Sequence, residues 1–279
     1  MAATLRALSC RRGTEQMRAD ADEAAQKFAA ANFVPGVTPL LQGTARVPCG
    51  DLDGGDAFFA DALGLEEERG APDILAVTLC ERSLAAMARG HWNHAEAFAS
   101  RAHTRLRQAG IEDTYATPLV SAVQARAALH RGDVPAARRE LISALRLRPL
   151  MTYAQPHWAV QTRIELIRVH LALDDLAGAR RLMVEIDEIL KRRPDLGTLI
   201  GRPTRSGRGS QESAVLIDAA AEGYRASSSS VRRRWRFPKI ATMQAGRSAP
   251  GIVISKIQPS GAAAAKTTPL SRTPPQAPT

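Results

Sequence analysis

Gly132-Asp133-Val134-Pro135-Ala136-Ala137-Arg138-Arg139-Glu140-Leu141 decides the fold of this chain, because its pattern occurs three more times. The matching segments open with Gly50-Asp51-Leu52, Gly90-His91-Trp92 and Asp174-Asp175-Leu176, and their second residues are 40, 42 and 42 positions apart. Four positions beyond that second residue each segment has a small side chain: Gly55, Ala95, Ala137 and Ala179. Eight positions beyond it stand Phe59, Ala99, Leu141 and Met183, and eleven beyond it Ala62, Ala102, Ala144 and Ile186. These offsets return to one face of an α-helix. The small residue near the start of that face lets a neighbouring helix approach closely. The Asp, or His91 in the second unit, sits where an N-cap satisfies free backbone N–H groups. The preceding glycine suits the left-handed end of the helix before it. Each unit therefore predicts a helix, a tight turn and a second helix.

The helices ahead of the turns also match one another, ending in Ala45-Arg46-Val47, Leu84 to Met87, Ala125 to Leu129 and Leu166 to Leu171. Starts are marked by Thr38-Pro39, with the proline expected at the first helical position, and by Pro72-Asp73. Stops are marked by Arg69-Gly70, Ala109-Gly110, Pro149 and Arg193-Pro194. No segment alternates with the period of two that a strand requires. A lone helix pair cannot bury its apolar face, so successive pairs must stack to make a core. The expectation is an all-α fold, a TPR-like right-handed stack of antiparallel helix pairs (an α-solenoid) over residues 20–196, with a leading helix at Asp22 to Ala31. Residues 1–19 are expected to be poorly structured. Residues 197–279 are expected to form a mostly disordered basic tail with one short helix at 211–224.

Charge divides the chain at the same place. Residues 1–200 hold 25 Lys and Arg against 25 Asp and Glu, whereas residues 201–279 hold 13 against 3. The whole formal charge of +10 thus lies in the tail and says nothing about the repeats. No apolar run is long enough to span a bilayer, and the start lacks the apolar core of a secretory signal, so the expected location is the cytoplasm. Cys10, Cys49 and Cys80 are too widely spaced for a CxxC metal or redox motif, and an odd number argues against a disulfide framework. Cys80 ends the apolar run Ile74 to Cys80 and reads as a small core residue.

Motifs for chemistry are sparse. The sequence contains no GxxxxGK[ST], GxGxxG after a strand, HExxH or GxSxG, and Gly207-Arg208-Gly209-Ser210 lacks the strand–helix context of a phosphate loop. His91 and His94 share a helical face at the spacing of a metal pair, yet His91 occupies the capping position and no third ligand is identifiable. Asp51, Asp53 and Asp56 lack the order and the terminal Glu of a calcium loop, and capping accounts for them. Asp174, Asp175, Glu185, Asp187 and Glu188 read as carboxylates on exposed helix faces. No catalytic residue, cofactor or metal is expected, and the chain is not expected to be an enzyme. Arg232, Arg233, Arg234 and Arg236 around Trp235 could grip phosphates while the indole stacks on a base, although no recognition helix accompanies them.

Three runs carry a family resemblance: Ala31 to Leu41 (Ala-Asn-Phe-Val-Pro-Gly-Val-Thr-Pro-Leu-Leu), Ala125 to Leu141, and Ile186 to Leu199. They resemble the helical-repeat region of actinobacterial LuxR-type transcription regulators, over roughly Asp22 to Gly201. The period of about 40 is longer than the tetratricopeptide repeat's roughly 34. In large members of that family an ATP-binding region precedes such repeats and a helix-turn-helix follows. The resemblance implies a signal-receiving and transmitting module whose concave face holds a protein partner or a small effector. Neither a phosphate loop upstream nor a helix-turn-helix pattern after Gly201 is visible, so no DNA-reading residue is carried over. The hypothesis for the abrupt change of character is a shift of reading frame. Arg202 to Ser210 can be encoded by GC-rich codons that read Ala-Asp-Ala-Leu-Arg-Ala-Arg-Leu in another frame, and a nucleotide sequence without such an alternative would exclude it.

The repeat register makes a direct prediction. Leu141→Asp should cost at least ~3 kcal/mol, the scale of losing a large buried side chain. A thermal midpoint close to that of the unaltered chain would refute the register.

Overall fold

The structure, a computed structural model, describes residues 1–31, 35–69 and 71–200. The tail, including the expected helix at 211–224, lies outside the described residues. Ten helices follow one another among the described residues, with no strand. They are α1 (Ala2–Ser9), α2 (Thr14–Ala30), α3 (Val37–Arg46), α4 (Leu52–Arg69), α5 (Pro72–Ala88), α6 (Trp92–Ala109), α7 (Thr117–Arg131), α8 (Val134–Leu147), α9 (Pro156–Ala172) and α10 (Leu176–Leu190). The fold is all-α.

The repeat turns form as their residues require. Gly50, Gly90 and Gly132 take φ of 91°, 75° and 80°, the left-handed conformation that glycine adopts without a Cβ penalty. Asp174, which replaces glycine in the fourth unit, takes φ 58°. The carboxylates that follow cap the next helix. Asp51 Oδ1 accepts from the Gly54 N–H at 2.9 Å, Asp133 from Ala136 at 2.9 Å and Asp175 from Gly178 at 2.8 Å. His91 occupies the same place and makes no side-chain cap. Every residue at the offsets of four, eight and eleven is buried, from Gly55 and Phe59 in the first unit to Met183 and Ile186 in the last.

Packing sorts the helices into two rows. Each turn folds one helix back on its predecessor, giving the pairs α3/α4, α5/α6, α7/α8 and α9/α10. The first members also touch along the stack, α3 to α5, α5 to α7 and α7 to α9. This inner row is buried on nearly every side, and α9 buries all but a few of its residues. The outer row buries only its repeat face, as in α6 with Ala95, Ala99, Ala102 and Leu106. No helix among the described residues is long and apolar enough to cross a membrane.

Three expectations need correction. Residues 2–9 and 14–19 are helical rather than poorly structured, and the leading helix begins at Thr14 instead of Asp22. Two of the ties that order them come from the far end of the repeats, and a third joins α1 to α2. The Arg193 guanidinium donates to the Ser9 carbonyl at 2.8 Å, the Cys10 thiol lies 3.8 Å from the Asp195 carbonyl, and Arg6 pairs with Asp20 at 2.8 Å. Pro39 stands at the third position of α3, not the first, where a missing N–H still costs no helical hydrogen bond.

The fourth turn carries an extra tie: His170 Nδ1, on a buried ring, lies 2.9 Å from Asp175 Oδ2. Gly178 makes room for it, since a Cβ there would sit 2.2 Å from His170 Nδ1. Gly178→Ala should therefore destabilise the chain by about 1–3 kcal/mol despite alanine's better helix propensity. Combining it with His170→Ala should cost less than the sum of the two single changes, as measured by urea denaturation; strict additivity would contradict the packing argument.

Candidate ligand site on the inner helix row

Helix α9 is buried all round without being apolar all round. His157, Gln161 and Glu165 fall at successive fourth positions, which places them on one face. Their exposures are 4%, 7% and 3%. Across α7, whose Ala122, Ala125, Ala127 and Ala128 are all buried, this face meets Glu81 of α5. Glu81 is 3% exposed and accepts a hydrogen bond from Gln161 Nε2 at 3.2 Å. The Trp158 indole lies close enough to the Glu81 carboxylate to favour its charged form, yet it closes no hydrogen bond.

The two carboxylates of this row are treated in opposite ways. Burial alone would raise the pKa of Glu165, but the guanidiniums of Arg126, at 2.5 Å, and Arg168 outweigh it and hold the group below its ordinary value. Glu81 has no cationic partner. Burial pushes it up to about 7, against the opposing effect of Gln161 and Trp158. Burial likewise drives His157 down to about 4, so its imidazole is neutral at physiological pH. Glu81 Oε1, Gln161 Oε1, Trp158 Nε1 and both His157 nitrogens are buried without a hydrogen-bond partner. Such groups are uncommon in folded proteins, and five of them gathered between α5 and α9 define the candidate site.

Beside the site the polar groups are satisfied. Arg126 stands 5.9 Å from the Trp92 ring centroid, and Trp92 stacks on His130 at 3.9 Å, with His130 Nδ1 3.0 Å from Glu96. A cavity of about 240 Å³ between α6, α7 and α8 is bordered by His103, Arg107, Ser121, Ser143 and Arg146. Its guanidiniums are already paired, Arg146 with Asp113 at 2.8 Å and Arg107 with Glu112 at 3.6 Å, and His103 Nε2 lies 3.8 Å from Glu140. Ser121 and Ser143 bond each other at 3.2 Å.

The residues singled out by spacing are placed elsewhere. The His91 and His94 rings meet edge-on with centroids 6.2 Å apart, and no group of three metal-ligating side chains gathers among the described residues. Asp51 caps α4, while Asp53 and Asp56 bind Arg89 at 2.6 and 3.0 Å and Asp56 also binds Arg82 at 3.1 Å. These pairs tie α4 to α5. Glu185 joins Arg148 and Arg163, each at 2.9 Å, and Glu188 pairs with Lys191. Cys80 is fully buried, and burial raises its thiol well above the ordinary range. Arg232, Arg233, Arg234, Trp235 and Arg236 lie outside the described residues.

Glu81, His157, Trp158 and Gln161 do not belong to any motif considered from the sequence. The polar stripe at 157, 161 and 165 was visible there as a period of four inside an otherwise core-like helix, and Glu81 as an acid directly after the apolar run ending at Cys80. No local signal joins the two, which are 80 residues apart.

No family model matches the chain, and no curated protein matches it. Among solved structures it is similar to BtubC (BKLC) from P. vanneervenii, with 20% identity over 70% of this chain and 79% of that one, at a TM-score of 0.43. At that distance the likeness bears on none of the residues described above.

The site has a pH signature. Glu81 has its folded pKa raised from the ordinary 4.5 to about 7, so the folded state holds the extra proton and stability falls as pH rises through that window. His157 has its value lowered from 6.5 to about 4, so its contribution is lost as pH falls through that interval. Glu81→Gln should remove the alkaline loss, which is on the order of 3 kcal/mol between the two plateaux. In the parent chain the opposite His157 contribution offsets this loss across most of the window. Urea denaturation from pH 4.5 to 8 should therefore find Glu81→Gln gaining stability as pH rises where the parent stays nearly level; a variant with the parent's profile would contradict the assignment to Glu81.

Proposed function

We propose that this chain is a helical-repeat module of a LuxR-like transcription regulator, a non-enzymatic, cytoplasmic α-solenoid that receives a small effector or a protein partner and transmits its presence. The observation that carries this reading is the row of unpaired polar groups between α5 and α9. A core meant only for stability would have filled that place with apolar side chains at less cost. Perturbed acids and bases also mark catalytic sites, but the thiol next to Glu81, that of Cys80, is held protonated by burial, and the groups around Glu81 and His157 suit recognition. Stacked pairs offer a route for transmission, because a ligand that draws α5 and α9 together must shift the helix packed between them.

A second reading rests on the charge partition, with 13 basic residues against 3 acidic ones after residue 200. Here the chain holds nucleic acid through Arg232, Arg233, Arg234, Trp235 and Arg236. One experiment separates the two. Duplex DNA binding is measured for the full chain and for residues 1–201 across a salt series, with thermal midpoints alongside. The module reading expects equal midpoints and no DNA binding by either. Binding by the full chain alone, falling steeply with salt, would move the function to the tail.

A further inference from the structure

We infer that the cavity between α6, α7 and α8 binds a free α-amino acid, recognised by its neighbouring carboxylate and ammonium groups. The outer helices α6 and α8 both pack on α7. Between them the surface opens into a space of about 240 Å³, the room of roughly eight waters. Its walls come from the C-terminal halves of α6 and α8 and its floor from the first turns of α7. Leu106 and Val120, both buried, make part of that floor apolar. Ser121 donates to Ser143 at 3.2 Å, which leaves the Ser143 hydroxyl proton for a ligand. Arg107, Glu112 and Arg146 bring charge to the cavity from the exposed side. The loop that carries Glu112 is held in place, because the Thr117 hydroxyl donates to the Glu112 carbonyl at 2.7 Å.

The charged groups around this space are close but loosely joined. Arg107 Nε lies 3.6 Å from Glu112 Oε1, too far for a hydrogen bond, and among the described residues neither side chain makes one. Arg146 gives one N–H to Asp113 at 2.8 Å and keeps its others. His103 Nε2 stands 3.8 Å from Glu140. Exposed pairs of this kind contribute little to stability, so a ligand can share them at small cost. A ligand carboxylate takes the spare N–H groups of Arg107 and Arg146, while an ammonium on the adjacent carbon reaches Glu112. The guanidinium and the carboxylate already stand side by side, as the two charges of an amino acid do. Charge disfavours simpler ligands. A plain anion would meet Glu112, Asp113 and Glu140, and a plain cation would meet two guanidiniums. A zwitterion adds no net charge to these opposed groups, and the apolar floor takes a short side chain. Because the cavity joins helices of two successive pairs, an occupant bears on how those pairs pack. As the effector class of the proposed module this inference rests on that reading for its role, although the cavity is a different place from the Glu81 row.

The test uses the full 279-residue chain. L-valine, L-serine, L-glutamate and L-lysine, which span the side-chain classes, are titrated calorimetrically up to millimolar concentration, and amide hydrogen exchange is followed with and without each. Expected is saturable binding of at least one of them, with exchange slowed at the cavity-lining residues of α6, α7 and α8. The N-acetyl derivative of that amino acid lacks the ammonium, and its amide lacks the carboxylate. Each should bind about tenfold or more weakly, the scale of a charge-assisted hydrogen bond. Arg146→Gln and Glu112→Gln should weaken binding by a similar factor. Their thermal midpoints should stay close to the parent's, because the two side chains are 64% and 60% exposed. Three results overturn the inference. The first is no saturable binding of any of the four amino acids. The second is equal affinity for the N-acetyl derivative or the amide, which makes the cavity a plain anion or cation site. The third is unchanged affinity in the two variants or exchange slowed only outside the cavity, which moves the ligand elsewhere, the basic tail included. None of these results alters the DNA and truncation measurements, so failure of the site and failure of the module reading are told apart.

Discussion

Close approach of neighbouring helices, permitted by alanine and glycine at fixed offsets, is the constraint on which the rest of this structure depends. Ala95, Ala137 and Ala179 are buried one turn into α6, α8 and α10, and Ala99, Ala102 and Ala144 continue the same seam. In the first pair the requirement tightens to glycine. A Cβ on Gly43 of α3 would lie 2.5 Å from the Phe59 ring, and one on Gly55 of α4 would lie 2.7 Å from Val47 Cγ2. Each alanine buries little apolar surface, so stability is spread over many contacts rather than held by a few large side chains. Phe59, Leu141 and Met183 are the large buried side chains at one position of the first, third and fourth pairs, where the second pair has Ala99.

The same closeness sets the electrostatics of the inner row. Helices that pack this tightly exclude water from both flanks of α5, α7 and α9, so any polar side chain there must be satisfied by protein or by ligand. Three solutions are visible side by side. Arg163 is buried but reaches Glu185 at 2.9 Å and the Ala159 carbonyl at 2.9 Å. Glu165 is enclosed by two guanidiniums. Glu81 and its neighbours Trp158, Gln161 and His157 keep free atoms. That contrast, rather than burial alone, distinguishes the Glu81 region from an ordinary buried ion pair, because the other two groups show that arginine was available to the same helices.

The turns show how far local chemistry extends and where tertiary contacts replace it. Three of the four repeats close with an aspartate cap, while the His91 unit does without one and instead sets Trp92, the next residue, flat against His130 of α7. In the fourth unit the missing glycine is replaced by Asp174 at φ 58°, and the cap Asp175 also engages the buried His170. The turn geometry is thus conserved within the chain although its chemistry varies from unit to unit.

By itself the sequence determined the helical class, the register of the four pairs and the identity of their buried faces. Those properties follow from periodicity and capping, which act over a few residues and leave a readable pattern in Gly132 to Leu141 and its counterparts. The order of residues 1–19 was not legible, because Cys10 and Ser9 are held by Asp195 and Arg193 from the far end of the repeats. The candidate site was half legible. His157, Gln161 and Glu165 formed a stripe that spacing could reveal, but its meaning depends on Glu81, brought alongside from 80 residues away across three intervening helices. Only the tertiary structure decided that Glu165 meets Arg126 and Arg168 while Glu81 meets no cation, since burial and charge pairing are properties of what surrounds a residue rather than of the residue itself.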